Sequence, residues 1–442
     1  MKINNSSVLY GLFLVILLCS ACGREKNLTT SRDNLDKPEE IVIATAGLSN
    51  FEQLVLKYNQ KNGDSIKVRI ENYASNTTVE QAIVRLNMEL VSGKGPDIID
   101  FETIPVREIY AKKGLLVNLS PLMLRDLDPD DYFVIDFLSK SDLFYVPASF
   151  NIMTCYSLPQ TFDGKQGMTF SALEALYTSP QYKDSYSQNR QDFLQLAYVS
   201  MIPDCIDWKS FTCNFKSEKF AKLLSFTEHI PDTLILQEDI ETLIGNGSLP
   251  YAEAWISNPI DLYRIEQNVG GKIKIVGYPT VDGKNGTYLY LNSLAGINRF
   301  SKHTEEAWRF LKYMISDEEY QNSLIWGTIP VRKECTNEHI KYLLNPYATY
   351  EGKNIQVYED GTYSVDGVVM DQIYNPEPII SEEVAKQYQD LIQSSHRIYE
   401  YDPTIFSIIS KESEKYFDGG ISLNQALDSI QSKVTTYLSE QQ

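Results

Sequence analysis

Between Ile41 and Phe101 the chain reads strand, helix, strand, helix, strand, and that order leaves few folds open. Ile41-Val-Ile-Ala-Thr45 is a compact β-rich run that breaks at Gly47. Asn50 is placed to cap a helix in which Phe51, Leu54, Val55 and Tyr58 fall at helical spacing. After a turn at Asn62-Gly63, Ile66, Val68 and Ile70 alternate with Lys67 and Arg69, the period of a strand with one polar face. Val79, Ile83, Leu86 and Leu90 then share one helix face behind the caps Thr77 and Thr78, and the helix ends at Gly93-Lys-Gly95. Pro96-Asp-Ile-Ile-Asp-Phe101 supplies the third strand. Parallel strands need helical crossovers, so this spacing predicts the opening of a doubly wound α/β sheet. Ligands of such sheets bind beyond the carboxyl ends of the strands, here Thr45 to Ser49 and Asp100 to Thr103.

The α/β alternation continues through the chain. Leu143-Phe-Tyr-Val146 and Lys272-Ile-Lys-Ile-Val-Gly-Tyr278 are strand-like, while Glu305 to Met314 and Leu423 to Leu438 are helical. From about 345 to 380 the pattern turns loop-like, with Tyr, Gly, Asn and Pro scattered through it, and reads as an insertion or surface hairpin. A length of 442 residues suits two or three domains.

The amino-terminal region has a different logic. Lys2 precedes the unbroken apolar run Val8 to Leu18, which stops before Ser20-Ala-Cys22. The run is short for a membrane span, which needs about 20 apolar residues, and the layout is that of a signal peptide over residues 1–21. The cleavage site resembles a bacterial lipobox, with Cys22 as the lipidated first residue; Cys19 stands where Leu is usual. The spacing Cys19-Ser-Ala-Cys22 also matches a redox pair, but such a pair belongs at a helix start after a strand. Residues 22–40 then form the lipidated cysteine and a polar tether, and the protein is expected to be anchored at the extracytoplasmic face of the cell membrane.

Charge and motif content exclude several classes. The net charge of −19 becomes −20 when Lys2 is removed with the signal peptide, which argues against a nucleic-acid partner. Cys155, Cys205, Cys213 and Cys335 lack the paired spacing of a zinc site, although Cys205 and Cys213 are close enough in sequence to pair in an oxidising exterior. His229, His303, His339 and His396 are scattered singly. There is no Gly-x-Ser-x-Gly elbow and no phosphate-binding loop. With 59 carboxylates, acid–base pairs on paper carry no information. The expectation is a chain without catalytic residues, metal or cofactor.

Four segments resemble the family 1 extracellular solute-binding proteins, whose well-known member binds maltodextrins. Ser92-Gly-Lys-Gly-Pro-Asp-Ile-Ile-Asp100, with Tyr110-Ala-Lys-Lys-Gly-Leu-Leu-Val-Asn-Leu119 after it, is similar to the family's third strand and next helix exit. Gly277-Tyr-Pro-Thr-Val-Asp-Gly283, leading to Asn292-Ser-Leu-Ala-Gly-Ile-Asn298, is similar to its returning crossover. Ser301 to Leu311 and Tyr416 to Leu427 match the helix that follows and the C-terminal stretch. The resemblance implies a two-lobed α/β fold of the periplasmic-binding-protein type II kind, with a hinge and an interlobe ligand cleft. It implies a first lobe over 41–148 with a return at about 294–344, and a second lobe over 149–293 with about 381–442. It further implies capture of a small polar ligand, a sugar or oligosaccharide, for the permease subunits of an ABC transporter. A sensor or adhesion module, and a surface carbohydrate-active enzyme, are the alternatives.

A sugar cleft needs carboxylates and amides for hydroxyls and aromatic rings for the apolar sugar faces. Asp100, Phe101 and Glu102 follow the third strand; the two carboxylates are candidate hydroxyl acceptors, and each also fits a cap or an ion pair. By the resemblance, Trp255 takes the place of a stacking tryptophan, against the alternative of a core position, and Phe406 stands where a second Trp would be. Tyr198, Trp208 and Trp326 are weaker aromatic candidates. Ser149 and Asn151 sit where the chain is expected first to cross between lobes. A cation such as a polyamine would use Asp100 and Glu102 almost equally well.

Overall fold

The computed structural model describes residues 39–62, 66–133, 142–163, 167–183, 185–233, 239–280, 282–284, 286–346, 355–358, 362–373 and 378–441. The signal peptide, Cys22 and most of the tether lie outside the described residues.

The first lobe is built on the expected strands. Glu39–Thr45 lies at the centre, parallel to Ile66–Asn72 over the register Glu39↔Ile66 to Thr45↔Asn72 and parallel to Ile98–Asp100 on its other side. A returning strand, Ala295–Ile297, closes the sheet antiparallel to Ile98–Asp100. The helix Phe51–Asn62 buries Phe51, Leu54 and Tyr58. Each such side chain contributes about 1.5–3 kcal/mol by leaving water. Its first N–H is met by Ser49, whose Oγ accepts from Phe51 N at 3.2 Å, so Asn50 is released from the capping role the sequence suggested. Thr78 does cap the helix Val79–Val91, accepting from Gln81 N. The helix Thr304–Ser316 returns to this lobe, where Phe310 packs against Phe51 and Tyr58.

The second lobe centres on the strand Ser149–Ser157. It pairs antiparallel with Ala252–Ile256, Tyr288–Asn292, Lys274–Ile275 and Ile329–Pro330, and Arg397–Ile398 joins the outer edge parallel to Tyr288–Leu289. The chain passes between the two sheets three times, and the passages run side by side. Val146 bridges Ala295, Ala148 N donates to Asn292 O at 3.1 Å, and Val331 N donates to Ala148 O at 3.2 Å.

Several sequence expectations are corrected here. The return segment, expected to run to 344, enters the second sheet at Ile329–Pro330, and the helix Lys333–Leu344 packs against Glu382–Ser394. The strand-like Lys272–Tyr278 contributes a ladder only at Lys274–Ile275. Gly277 turns the chain at φ +68°, where an added Cβ would meet the Gly286 backbone at 2.9 Å. Leu143–Val146 makes a single bridge. The 345–380 region, read as an insertion or surface hairpin, is not among these corrections: it contains an antiparallel meander of Ile355–Val357, Thr362–Val365 and Val368–Ile373, with Tyr363 and Val365 buried. Cys205 and Cys213 carry free thiols.

Candidate functional site

Strand pairing decides which side chains share a face of the second sheet. Met153 lies opposite both Trp255 and Tyr288, Asn151 opposite Tyr290, and Cys155 opposite Glu253. Side chains alternate along a strand, so Met153, Glu253, Trp255 and Tyr290 project together while Ala252, Ala254 and Ile256 go into the core. Trp255, on a strand whose one ladder partner among the described residues is Ser149–Ser157, is 47% exposed, and its ring lies 5.1 Å from that of Tyr290. The aromatic series continues through Tyr399, 5.5 Å from Tyr290, to Tyr401.

This face looks toward the first lobe. Tyr290 lies within the fields of Glu102 and Arg107, both first-lobe residues. Arg107, on the helix Arg107–Lys112, donates from Nη2 to Tyr399 O at 3.4 Å, lies over the Tyr145 ring, and pairs with Glu108 at 3.3 Å. Burial raises the pKa of Glu400, and Glu108 adds to the effect while Arg107 opposes it. Glu102 sits at the hinge. Its Oε2 accepts from Ser293 N at 2.7 Å and its Oε1 from Asn50 Nδ2 at 2.8 Å. Burial raises its pKa, and the Ser293 N–H pulls it back.

A cavity of about 220 Å³ opens on this face, lined by Met153, Asp192, Gln195, Glu253, Tyr278 and Tyr399 among others. Glu253 is open to solvent within the cleft; desolvation by the surrounding protein raises its pKa, the neighbouring Gln188 and Tyr278 side chains lower it, and the charge of Asp192 raises it again. A larger cavity of about 420 Å³ reaches Phe150 and Leu289. Those side chains point to the opposite face of the same sheet, so that cavity is separate from the cleft.

The candidates drawn from the sequence divide into two groups. Trp255 and Trp326 are exposed, and Trp208 lines a small gap between the lobes beside Arg107 and Glu400. Trp326 packs at 4.8 Å against His339, and its carbonyl accepts from Asn258 Nδ2. The rest of the group, Glu102 excepted, is buried against protein partners, with Tyr198 lining the same gap as Trp208. Asp100 is fully buried and accepts from Ser49 Oγ, Thr103 Oγ1 and Glu102 N, each at 2.9 Å, tying the strand end to the neighbouring loop. Phe101 is enclosed by Tyr110 and Tyr145. Tyr198 and Phe406 pack on each other at 5.3 Å, and the Tyr198 hydroxyl is bonded to the Asp402 backbone. Ser149 and Asn151 are buried in the crossings. Asn151 donates to Ser257 Oγ at 2.7 Å and to Gly327 O at 3.2 Å, and accepts from Asn292.

Sequence reasoning missed Glu253, Tyr290, Asp192, Tyr399 and Arg107. For Glu253 a signal existed: in Tyr251-Ala-Glu-Ala-Trp255 the alternation places Glu253 on the face of Trp255. Asp192 and Tyr399 arrive from distant segments and carry no local signal. No group of three or more His, Cys, Asp and Glu gathers to hold a metal among the described residues, and none of their helices is long and apolar enough to cross a membrane.

Two α/β lobes joined by three adjacent crossings, with a polar and aromatic cleft between them, define a solute-binding architecture. The chain belongs to the bacterial extracellular solute-binding proteins, whose sequence profile matches residues 53–345, and membership places it outside the cytoplasm. No curated protein sequence matches it. Among solved structures it is similar to an ABC substrate-binding protein of Listeria monocytogenes in complex with cycloalternan, at 15% identity and TM-score 0.51, over 91% of this chain and 100% of that one. It is also similar to the sugar-binding protein MalE of Xanthomonas citri, at 15% identity and TM-score 0.53, over 91% and 98%. A periplasmic oligogalacturonide-binding protein of Yersinia enterocolitica matches at 15% identity and TM-score 0.54, over 91% and 99%. At such identities the likeness speaks for the fold.

Proposed function

We propose that this protein captures a sugar or oligosaccharide in the interlobe cleft and delivers it to the permease subunits of an ABC importer. It acts as a monomer held at the membrane by lipid on Cys22. The observation that carries this reading is Trp255. An indole left 47% exposed beside Tyr290, on the sheet face that looks toward the first lobe and within a cleft rich in carboxylates and amides, is an unused stacking platform. The names of the similar proteins, which include cycloalternan, sugar and oligogalacturonide, support a carbohydrate ligand. The three side-by-side crossings near Ala148, Asn292 and Val331 would serve as the hinge. We read the protein as a binder without turnover.

A thermal-shift screen of the soluble form starting at Gly23, against mono- and oligosaccharides, polyamines and short peptides, tests the ligand class. A native-state ligand must raise the midpoint. One saccharide class is expected to do so and to be recovered chemically unchanged. A response confined to peptides would sink the carbohydrate reading and leave the fold untouched.

A further inference from the structure

Capture in the cleft makes no use of the cavity of about 420 Å³ on the far face of the second sheet. Its wall is apolar where Phe150 and Leu289 of the sheet meet Ile340 and Ile392 of two helices. The helix Lys333–Leu344 brings Lys333, Thr336, Asn337 and Ile340 to it, positions i, i+3, i+4 and i+7 of one face. The facing helix Glu382–Ser394 brings Gln389, Ile392 and Gln393, positions i, i+3 and i+4. The inward stripe of a packed helix is ordinarily apolar. Here three amides and a hydroxyl share it.

Thr336 is 4% exposed, and its Oγ1 has no hydrogen-bond partner among the described residues. A threonine within a helix can return its hydroxyl to the carbonyl one turn back. This one lies unpaired on the cavity, an arrangement that is costly unless something in the cavity meets it.

Charge narrows what can meet it. Lys333 and His396 line the cavity, and among the described residues no Asp or Glu does, in a chain of net charge −19. The Lys333 ammonium touches neutral groups, the Asp130 carbonyl and the Phe133 ring. Nearby acids of the two helices are paired outside it, Glu334 with Arg332, Glu338 with Lys341 and Asp390 with Lys386. A bound anion gains in such surroundings and a bound cation loses. Since about 150 Å³ accommodates benzene, the cavity has room for an apolar body of that size and a polar head.

We propose that this cavity is a second binding site, separate from the cleft, for a small carboxylic acid with an apolar body. The body rests on Phe150, Leu289, Ile340 and Ile392. The carboxylate accepts from Thr336 Oγ1 and the Asn337 amide, and Lys333 and His396 balance its charge.

The test is isothermal titration of the full chain in mild detergent, with detergent blanks, against three probes of one shape: phenylpropionate, phenylpropanamide and phenylpropylamine. Phenylpropionate is expected to bind at least about fivefold more tightly than the amide, and the amine more weakly still. Lys333→Gln combined with His396→Gln is expected to bring acid and amide to similar affinity. Asn337→Trp, which fills the cavity from its exposed side, is expected to abolish binding of both. Thr336→Val removes a hydroxyl with no bond to lose, so its melting midpoint is expected to stay level or rise while the acid binds at least about threefold more weakly. Melts of the other variants report that they fold. Amide or amine binding as tightly as the acid overturns the charge class. An acid preference that survives the double variant, binding that survives Asn337→Trp, or an affinity unchanged in Thr336→Val overturns the site. Absence of binding by phenylpropionate overturns the proposal outright and leaves the reading of the cleft untouched.

Discussion

Replacing Trp255 by alanine isolates the surface on which the ligand is argued to stack. Of an indole side chain of roughly 250 Å², the 47% left exposed offers about 120 Å² to a ligand, worth about 3 kcal/mol at about 25 cal/mol/Å². A sugar ring covers one face rather than the whole exposed edge, so about 1.5–3 kcal/mol is expected, a loss of roughly 10- to 150-fold in affinity. The stability cost is of similar size, since the covered part of the ring, roughly 130 Å², is worth about 3 kcal/mol by the same coefficient, beside the pairing with Tyr290 at 5.1 Å, worth about 0.5–1.5 kcal/mol. Isothermal titration of wild type and Trp255→Ala with the best saccharide, beside a thermal melt of each free protein, measures both quantities. An affinity change below about threefold in a variant whose melt shows that it still folds would refute the stacking argument and leave Trp255 as a bystander at the mouth of the cleft.

Two further substitutions probe the frame around the site. Asp100→Ala leaves Ser49 Oγ, Thr103 Oγ1 and the Glu102 N–H without their buried acceptor, and a loss of about 2–4 kcal/mol is expected in chemical denaturation; a loss under about 1 kcal/mol would mean the loop re-forms these bonds elsewhere. Glu412 is buried between the last two helices, where Lys415, Lys433 and Ser429 overcome the burial penalty and lower its pKa to about 2. Its folded pKa lies below the unfolded value of 4.5, so the bonus is complete above pH 4.5 and is lost as the pH falls toward 2. That shift corresponds to about 3 kcal/mol. Glu412→Gln should therefore melt roughly 3–4 °C lower at pH 7, with the gap closing near pH 2; a gap that persists there would place the loss in packing rather than charge.

The sequence by itself determined the parts of this protein whose order is local. The apolar periods from Ile41 to Phe101 define parallel strands and crossover helices before any packing is known, because period 2 and period 3.6 are properties of the backbone. The helices Thr304–Ser316 and Leu423–Glu440 were legible for the same reason. Trp255 was legible as a binding candidate only through resemblance.

What the tertiary structure decided is which polar and aromatic side chains meet the cleft. Asp100 and Glu253 are both carboxylates at strand positions, and nothing in their neighbourhoods in sequence says that the first is sealed under Ser49 and Thr103 while the second opens beside Asp192. Burial depends on what other segments bring: Tyr198 is covered because Tyr401 and Phe406 arrive from some 200 residues away. Tyr290 is left half-buried between Trp255 and Tyr399, whose rings come from two other segments. Secondary structure is written in spacing along the chain, but a binding face is written in contacts between segments, and only the fold makes those contacts.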